Sequence, residues 1–141
     1  MKTQRTRIAV YGLLVENKEI LLCRLSKQVA MSAGQWTLPG GGMDFGEKPE
    51  DTLIREFKEE TGLTVLVGPI LKIDSFCEEF TNERLHSIRI LYAVTRSGGT
   101  LRRELNGTTD ECGWFDAGAA RSLPTVPLAK TGIELATSLG L

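Results

Sequence analysis

The sequence predicts an α/β sandwich built on a mixed central sheet. Two observations carry that expectation. Apolar, β-leaning runs lie on both sides of one amphipathic helical stretch, and a second helical pattern closes the chain. The length of 141 residues suits one domain with a sizeable core.

The elements are taken in chain order. "RIAVYGLLV" and "EILLCRL", separated by "ENK", predict a hairpin over Arg7 to Leu25. "QWTLPGGGMDFGEK" predicts a short strand entering a glycine-rich loop, because Pro39 and three consecutive glycines argue against regular structure there. Pro49 suits the first position of a helix, and Glu50 and Asp51 favour the positive end of its dipole. Leu53, Ile54 and Phe57 are the expected buried stripe, and Gly62 fits a left-handed C-terminal cap. The helix is therefore expected over 49–61. "LTVLVGPILKIDSF" and "LHSIRILYAVT" read as two further strands joined by the polar loop "CEEFTNER". "CGWFD" reads as a short strand. The stretch from Pro127 to Leu139 reads as a second helix, with Leu128, Ile133, Leu135 and Leu139 as its apolar positions. No repeat, linker or low-complexity segment interrupts residues 1–141, which are expected to form a single domain.

Composition narrows the function classes. Hydrophobic residues make up 41% and charged residues 25%, the profile of an ordinary globular protein. A formal net charge of -1 gives no support for broad electrostatic binding to nucleic acid or to an anionic membrane. Three cysteines, Cys23, Cys77 and Cys112, form an odd set without a C-x-x-C pair, which argues against a disulfide framework or a zinc site. The opening residues read as a strand and not as a signal peptide, and no segment approaches membrane-spanning length. A cytoplasmic location is the resulting expectation.

One stretch works against its own helix. In "REFKEETG", Glu56, Glu59 and Glu60 stand at i, i+3 and i+4 and so share a face. They occupy the last turn, where the helix dipole favours cations. A solvated acidic face would explain three glutamates alone. The glycine run just upstream changes the weighing, because glycine lets backbone groups approach a ligand closely. Clustered carboxylates beside such a loop suit a hard divalent cation, and Mg²⁺ typically takes few carboxylates plus waters and substrate phosphates. A P-loop is excluded, because Glu47 precedes Lys48 and Pro49 stands where Ser or Thr belongs.

The segment resembles the signature of the Nudix hydrolases of the MutT-like kind, G-x5-E-x7-R-E-U-x-E-E-x-G-U, where U is a bulky aliphatic. Gly41, Glu47, Arg55, Glu56, Glu59, Glu60, Gly62 and Leu63 fill its fixed positions; Phe57 departs from it by placing an aromatic ring at a U position. "GQWTLPGG" upstream and "WF" near the end are also similar to the family. The resemblance implies a Nudix-type α/β/α sandwich with a loop–helix–loop catalytic motif. It implies metal-dependent hydrolysis of a nucleoside diphosphate linked to another group, with Mg²⁺, or Mn²⁺, as cofactor. By position, Glu56, Glu59 and Glu60 would hold the metal, with the Gly41 carbonyl as a further ligand. Arg55 would orient a glutamate, through Glu47. The general base would be a box glutamate, Glu56 first, or a later-loop carboxylate. Glu111 leads the latter group, with Asp110, Glu78, Glu79 and Glu83 as alternatives. Arg24, which follows the apolar "ILLC", either donates to phosphates or lies on the surface, and Phe80 either stacks on a base or is an ordinary loop residue. The implied substrate is a small nucleotide derivative, either a nucleoside triphosphate or an ADP-sugar. Dimers are frequent in the family, so a homodimer is expected. The competing reading is a Nudix-fold module that binds a nucleotide without cleaving it. Such modules tend to lose box carboxylates, whereas Glu56, Glu59 and Glu60 are all present here.

Overall fold

The structure is a computed structural model that describes residues 1–141. It contains seven strands and three α-helices. The strands are β1 (Thr3–Glu16), β2 (Glu19–Leu25), β3 (Trp36–Thr37), β4 (Gly40–Gly42), β5 (Leu63–Glu79), β6 (Glu83–Gly99) and β7 (Thr109–Phe115). The helices are α1 (Pro49–Thr61), α2 (Ala117–Ser122) and α3 (Pro127–Leu135), the last continued by a 3₁₀ turn over Ala136–Leu139.

The expected hairpin is present and begins earlier, at Thr3. Asn17 and Lys18, both at positive φ (51° and 62°), form its two-residue turn. That is the twist antiparallel strands need, and asparagine tolerates it well. The long β1 runs parallel to β6 over Thr3–Leu14 and antiparallel to β4. The β6 strand returns antiparallel to β5, and β2 carries β3 and β7. The sheet is therefore mixed, as predicted.

Alternation along the strands divides the apolar residues between two cores. Val10 and Leu14 of β1, Leu21 and Cys23 of β2, and Tyr92 and Val94 of β6 pack with Leu53 and Phe57 of α1. Their neighbours Leu13, Ile20, Leu22 and Leu91 face the other way and pack with Ala120, Leu128 and Ile133 of α2 and α3. Helices thus cover both faces of the sheet, the α/β/α arrangement.

Four expectations are corrected. The three glycines form β4, because the backbone of Gly40–Gly42 pairs with Ala9–Tyr11 and needs no side chains to do so. Ile54 is 37% exposed; the face toward the sheet carries Leu53, Phe57, Glu60 and Thr61 at helical spacing, and Ile54 lies just off it. The polar loop between β5 and β6 shrinks to residues 80–82, because cross-strand pairing continues to Glu79↔Arg84. Finally, α2 was not expected. Asp116 caps it by accepting from the Ala119 N–H (2.8 Å).

The C-terminal end of α1 positions the site. Gly62 takes φ 79° and its N–H bonds to the Lys58 carbonyl (2.9 Å), as its capping role requires. Thr61 Oγ1 donates to the Phe57 carbonyl (2.7 Å). Phe57, the departure from the family pattern, is fully buried, and its ring fills the space over Gly12.

Candidate active site

The main cavity has a volume of about 780 Å³ and opens beside β4. Glu56 and Glu60 of α1 line it together with all three glycines of β4. The absence of side chains on β4 is what allows this proximity. A Cβ on Gly41 would stand 2.7 Å from the Glu56 carboxyl carbon, and the Gly40 N–H donates to Glu60 Oε1 at 3.2 Å.

The two carboxylates differ in electrostatics. Glu60 is only 4% exposed, has no cationic partner, and accepts only the Gly40 N–H. Burial pushes its pKa well above the usual carboxylate range, an effect the Gly40 bond opposes and the charges of Glu56, Glu104 and Glu59 reinforce. Glu56 is also raised by burial, with Arg55 acting against the shift. The buried, uncompensated charge at Glu60 calls for a cation, and burying such a charge unpaired is costly. No three acidic, histidine or cysteine side chains converge into a closed metal cage. Two carboxylates on an open cavity instead suit Mg²⁺, which takes few protein ligands and completes its shell with water and phosphate oxygens. The donor set therefore fits a divalent cation.

Arg55 joins the loop to the helix. Its Nε and Nη2 donate to the two oxygens of Glu47 at 2.9 and 2.8 Å. Its Nη1 donates to Glu56 Oε1 at 3.0 Å and reaches Glu59 Oε1 at 3.5 Å. This fork geometry is a strong charge-assisted arrangement. It holds the Glu47 carboxyl at about 2, below its ordinary value, with the Asp44 N–H and Thr52 hydroxyl adding bonds. The expected contact between Arg55 and Glu47 is thus present, and it fixes one side of Glu56.

The remaining predicted residues lie elsewhere. Glu59 is half exposed and outside the cavity lining, against Arg55. Glu111 lies within β7 and not in a loop before it; its Cα faces Arg24 across the strands, and it does not line the cavity. Arg24 is also outside the lining. It donates to Asp110 at 2.8 Å and lies 5.9 Å from the ring centroid of Trp36. Trp36 itself packs edge-on against Phe115, 5.0 Å between centroids. Phe80 sits at the tip of the β5–β6 hairpin, 43% exposed and away from the cavity. Of the alternative carboxylates, Glu78 lines the cavity, whereas Asp110, Glu79 and Glu83 do not.

Sequence reasoning missed Glu104. It lies in the loop between β6 and β7, outside the cavity lining, and acts on Glu56 and Glu60 only through its negative charge. Its own carboxyl is raised by burial and by the charge of Glu59. Gly107 makes room for it, because a Cβ there would overlap the Glu104 carboxylate. "RRELNGTTDE" holds no periodic signal for this role; Gly107, three residues on, is its one trace.

The chain is similar to known proteins. The NUDIX domain family model matches residues 3–134. The nucleoside triphosphatase NudI of Escherichia coli O139:H28 (strain E24377A / ETEC) is 31% identical over 94 residues, covering 64% of this chain and 67% of that protein. Among solved structures, the MutT protein from Methanosarcina mazei Go1 is similar at a TM-score of 0.74 and 26% identity, with 99% of this chain and 98% of that one covered. The MutT NUDIX hydrolase from Burkholderia pseudomallei has the same fold, at a TM-score of 0.77 and 24% identity over 93% of this chain and 98% of that one.

Proposed function

Because this chain belongs to the NUDIX family, we propose that it is a Mg²⁺-dependent hydrolase cleaving the diphosphate linkage of a nucleoside diphosphate joined to another group. The observation that carries the reading is the buried Glu60 carboxylate, unpaired and facing an open cavity beside Glu56. A nucleoside triphosphate is the first substrate, in line with the name of the NudI relative; an ADP-sugar is the second. Mn²⁺ is the alternative metal.

Glu56 and Glu60, with the Gly41 carbonyl, would hold the cation, and Glu59 would stand at the rim. When bound, the cation supplies neutralisation of phosphate charge and acidification of water. Glu56 would accept the proton of the attacking water, through a carboxylate that Arg55 fixes in place. Glu47 holds Arg55 in place and touches nothing that reacts. Glu104 adds negative charge from the loop side. The product pair is a nucleoside monophosphate and the released phosphate-bearing group. No helix is long and apolar enough to cross a membrane.

The experiment is phosphate and pyrophosphate release over a panel of nucleoside triphosphates and ADP-sugars, with Mg²⁺, with Mn²⁺ and with chelator. Metal-dependent cleavage of one class is expected. Tight binding of a nucleotide without turnover would establish the non-catalytic sensing module instead.

A further inference from the structure

The cavity contains two cationic side chains, Arg7 and Arg89. They are not equivalent. Arg89 is committed: its Nε and Nη2 donate to Asp74 at 2.9 and 3.1 Å, and its guanidinium lies 4.4 Å from the Phe76 ring centroid. It is part of the wall. Arg7 enters no ion pair of the protein. It is nevertheless half-buried, and its guanidinium rests on Gly42, where a Cβ would come within 3.0 Å of Nε.

A half-buried guanidinium without a carboxylate partner keeps its planar set of donors available to an anion. Around it the cavity is acidic, through Glu56, Glu60 and Glu78, yet none of these pairs with it. The register explains why. Consecutive residues of β4 point to opposite faces, so Gly41 abuts Glu56 while Gly42 abuts Arg7. Glu56 and Arg7 therefore line one cavity from opposite faces of β4 without meeting. A ligand lying across β4 would meet the glutamate side at one end and a free guanidinium at the other.

We propose that Arg7 is a substrate-binding residue that grips non-bridging phosphate oxygens of the polyphosphate chain. The inference rests on the reading of this cavity as a diphosphate-cleaving site, and it assigns the chain's affinity for phosphate to β1, outside the helix motif. Guanidinium suits the task, since its planar fork matches phosphate oxygens and stays charged.

The test compares wild type with Arg7→Ala, Arg7→Lys and Arg7→Met, the last keeping the aliphatic stem. Arg5→Ala serves as control, because it removes the same charge from the same strand at a residue outside the cavity, paired with Glu83. Calorimetric binding of inorganic triphosphate in Mg²⁺ reads the phosphate contact without any base or sugar. Loss of one charge-assisted contact predicts about 10- to 100-fold weaker binding in Arg7→Ala and Arg7→Met. Arg7→Lys should recover part of it, and Arg5→Ala should match wild type. With a cleaved nucleotide, KM should rise by a similar factor while kcat stays within about threefold. Inhibition by the phosphate-free nucleoside should not change. Unchanged triphosphate affinity in the folded Arg7 variants, or no triphosphate binding by wild type, overturns the proposal. Arg7-dependent triphosphate binding in a protein that cleaves nothing on the panel upholds it and refutes the hydrolase reading instead.

Discussion

Gly41→Ala probes the contact between β4 and Glu56. The backbone of Gly41 lies outside the left-handed region, so alanine brings no conformational strain there. Its Cβ would, however, stand 2.7 Å from the carboxyl carbon of Glu56 and 2.8 Å from Oε2. Non-bonded carbons settle at about 3.5–4.0 Å, so the carboxylate must retreat by roughly 1 Å. It cannot retreat freely, because Arg55 Nη1 holds its other oxygen at 3.0 Å. A misplacement of that size costs on the order of 100-fold in rate, or about 2.7 kcal/mol of barrier. The assay is steady-state cleavage at saturating Mg²⁺, with a thermal melt on the same sample. Gly34→Ala is the counterpart: φ is 84° and nothing lies within 4 Å of the new Cβ. It should cost about 1–2 kcal/mol of backbone strain, lower Tm by about 3–8 °C, and leave kcat unchanged. A folded Gly41→Ala with wild-type kcat would refute the reasoning that the glycine exists to admit Glu56.

Glu60→Gln keeps shape and removes the buried charge. Its kcat should fall at least about tenfold, roughly 1.4 kcal/mol, while Tm in chelator stays level or rises. Mg²⁺ at 100 times its Kd should stabilise wild type by about 2.7 kcal/mol, and melts of the variant should show no such gain. Glu104→Gln should reduce kcat, whereas Glu111→Gln should stay within about twofold in both kcat and KM; the opposite ranking would return the loop carboxylate to β7. Glu47 sets a pH dependence of known sign. Its folded pKa of about 2 lies below the ordinary 4.5 because Arg55 donates to it. The stability it contributes is therefore complete above about pH 4.5 and drains away as pH falls toward 2. Urea midpoints measured across that window should decline in wild type and decline less in Glu47→Gln.

The parts of this fold written in local pattern were legible. Pro49 and Gly62 bracket α1, and the observed helix keeps those bounds. The box glutamates were legible because a fixed spacing carries them. What escaped was set by tertiary pairing. Three glycines read as a loop, because their strand character comes entirely from β1 and not from their own side chains. Glu111 was placed in a loop because cross-strand pairing with β2, invisible in "TTDE", extends β7 back to Thr109. Arg7 lines the cavity and Glu104 acts on it from outside by charge alone, both through tertiary placement. Glu104 comes from an irregular loop and Arg7 from the first half of β1, and neither position bears a pattern of its own.

The short strand β4 has a consequence for how this protein is altered, by drift or by design. Two adjacent backbone positions govern two separate quantities. A methyl group at residue 41 would press on the Glu56 carboxylate; one at residue 42 would press on the Arg7 guanidinium across the sheet. If the proposed roles of those side chains hold, turnover and affinity can be dialled one at a time from neighbouring codons. A residue larger than alanine at either would displace the side chain that the glycine now admits.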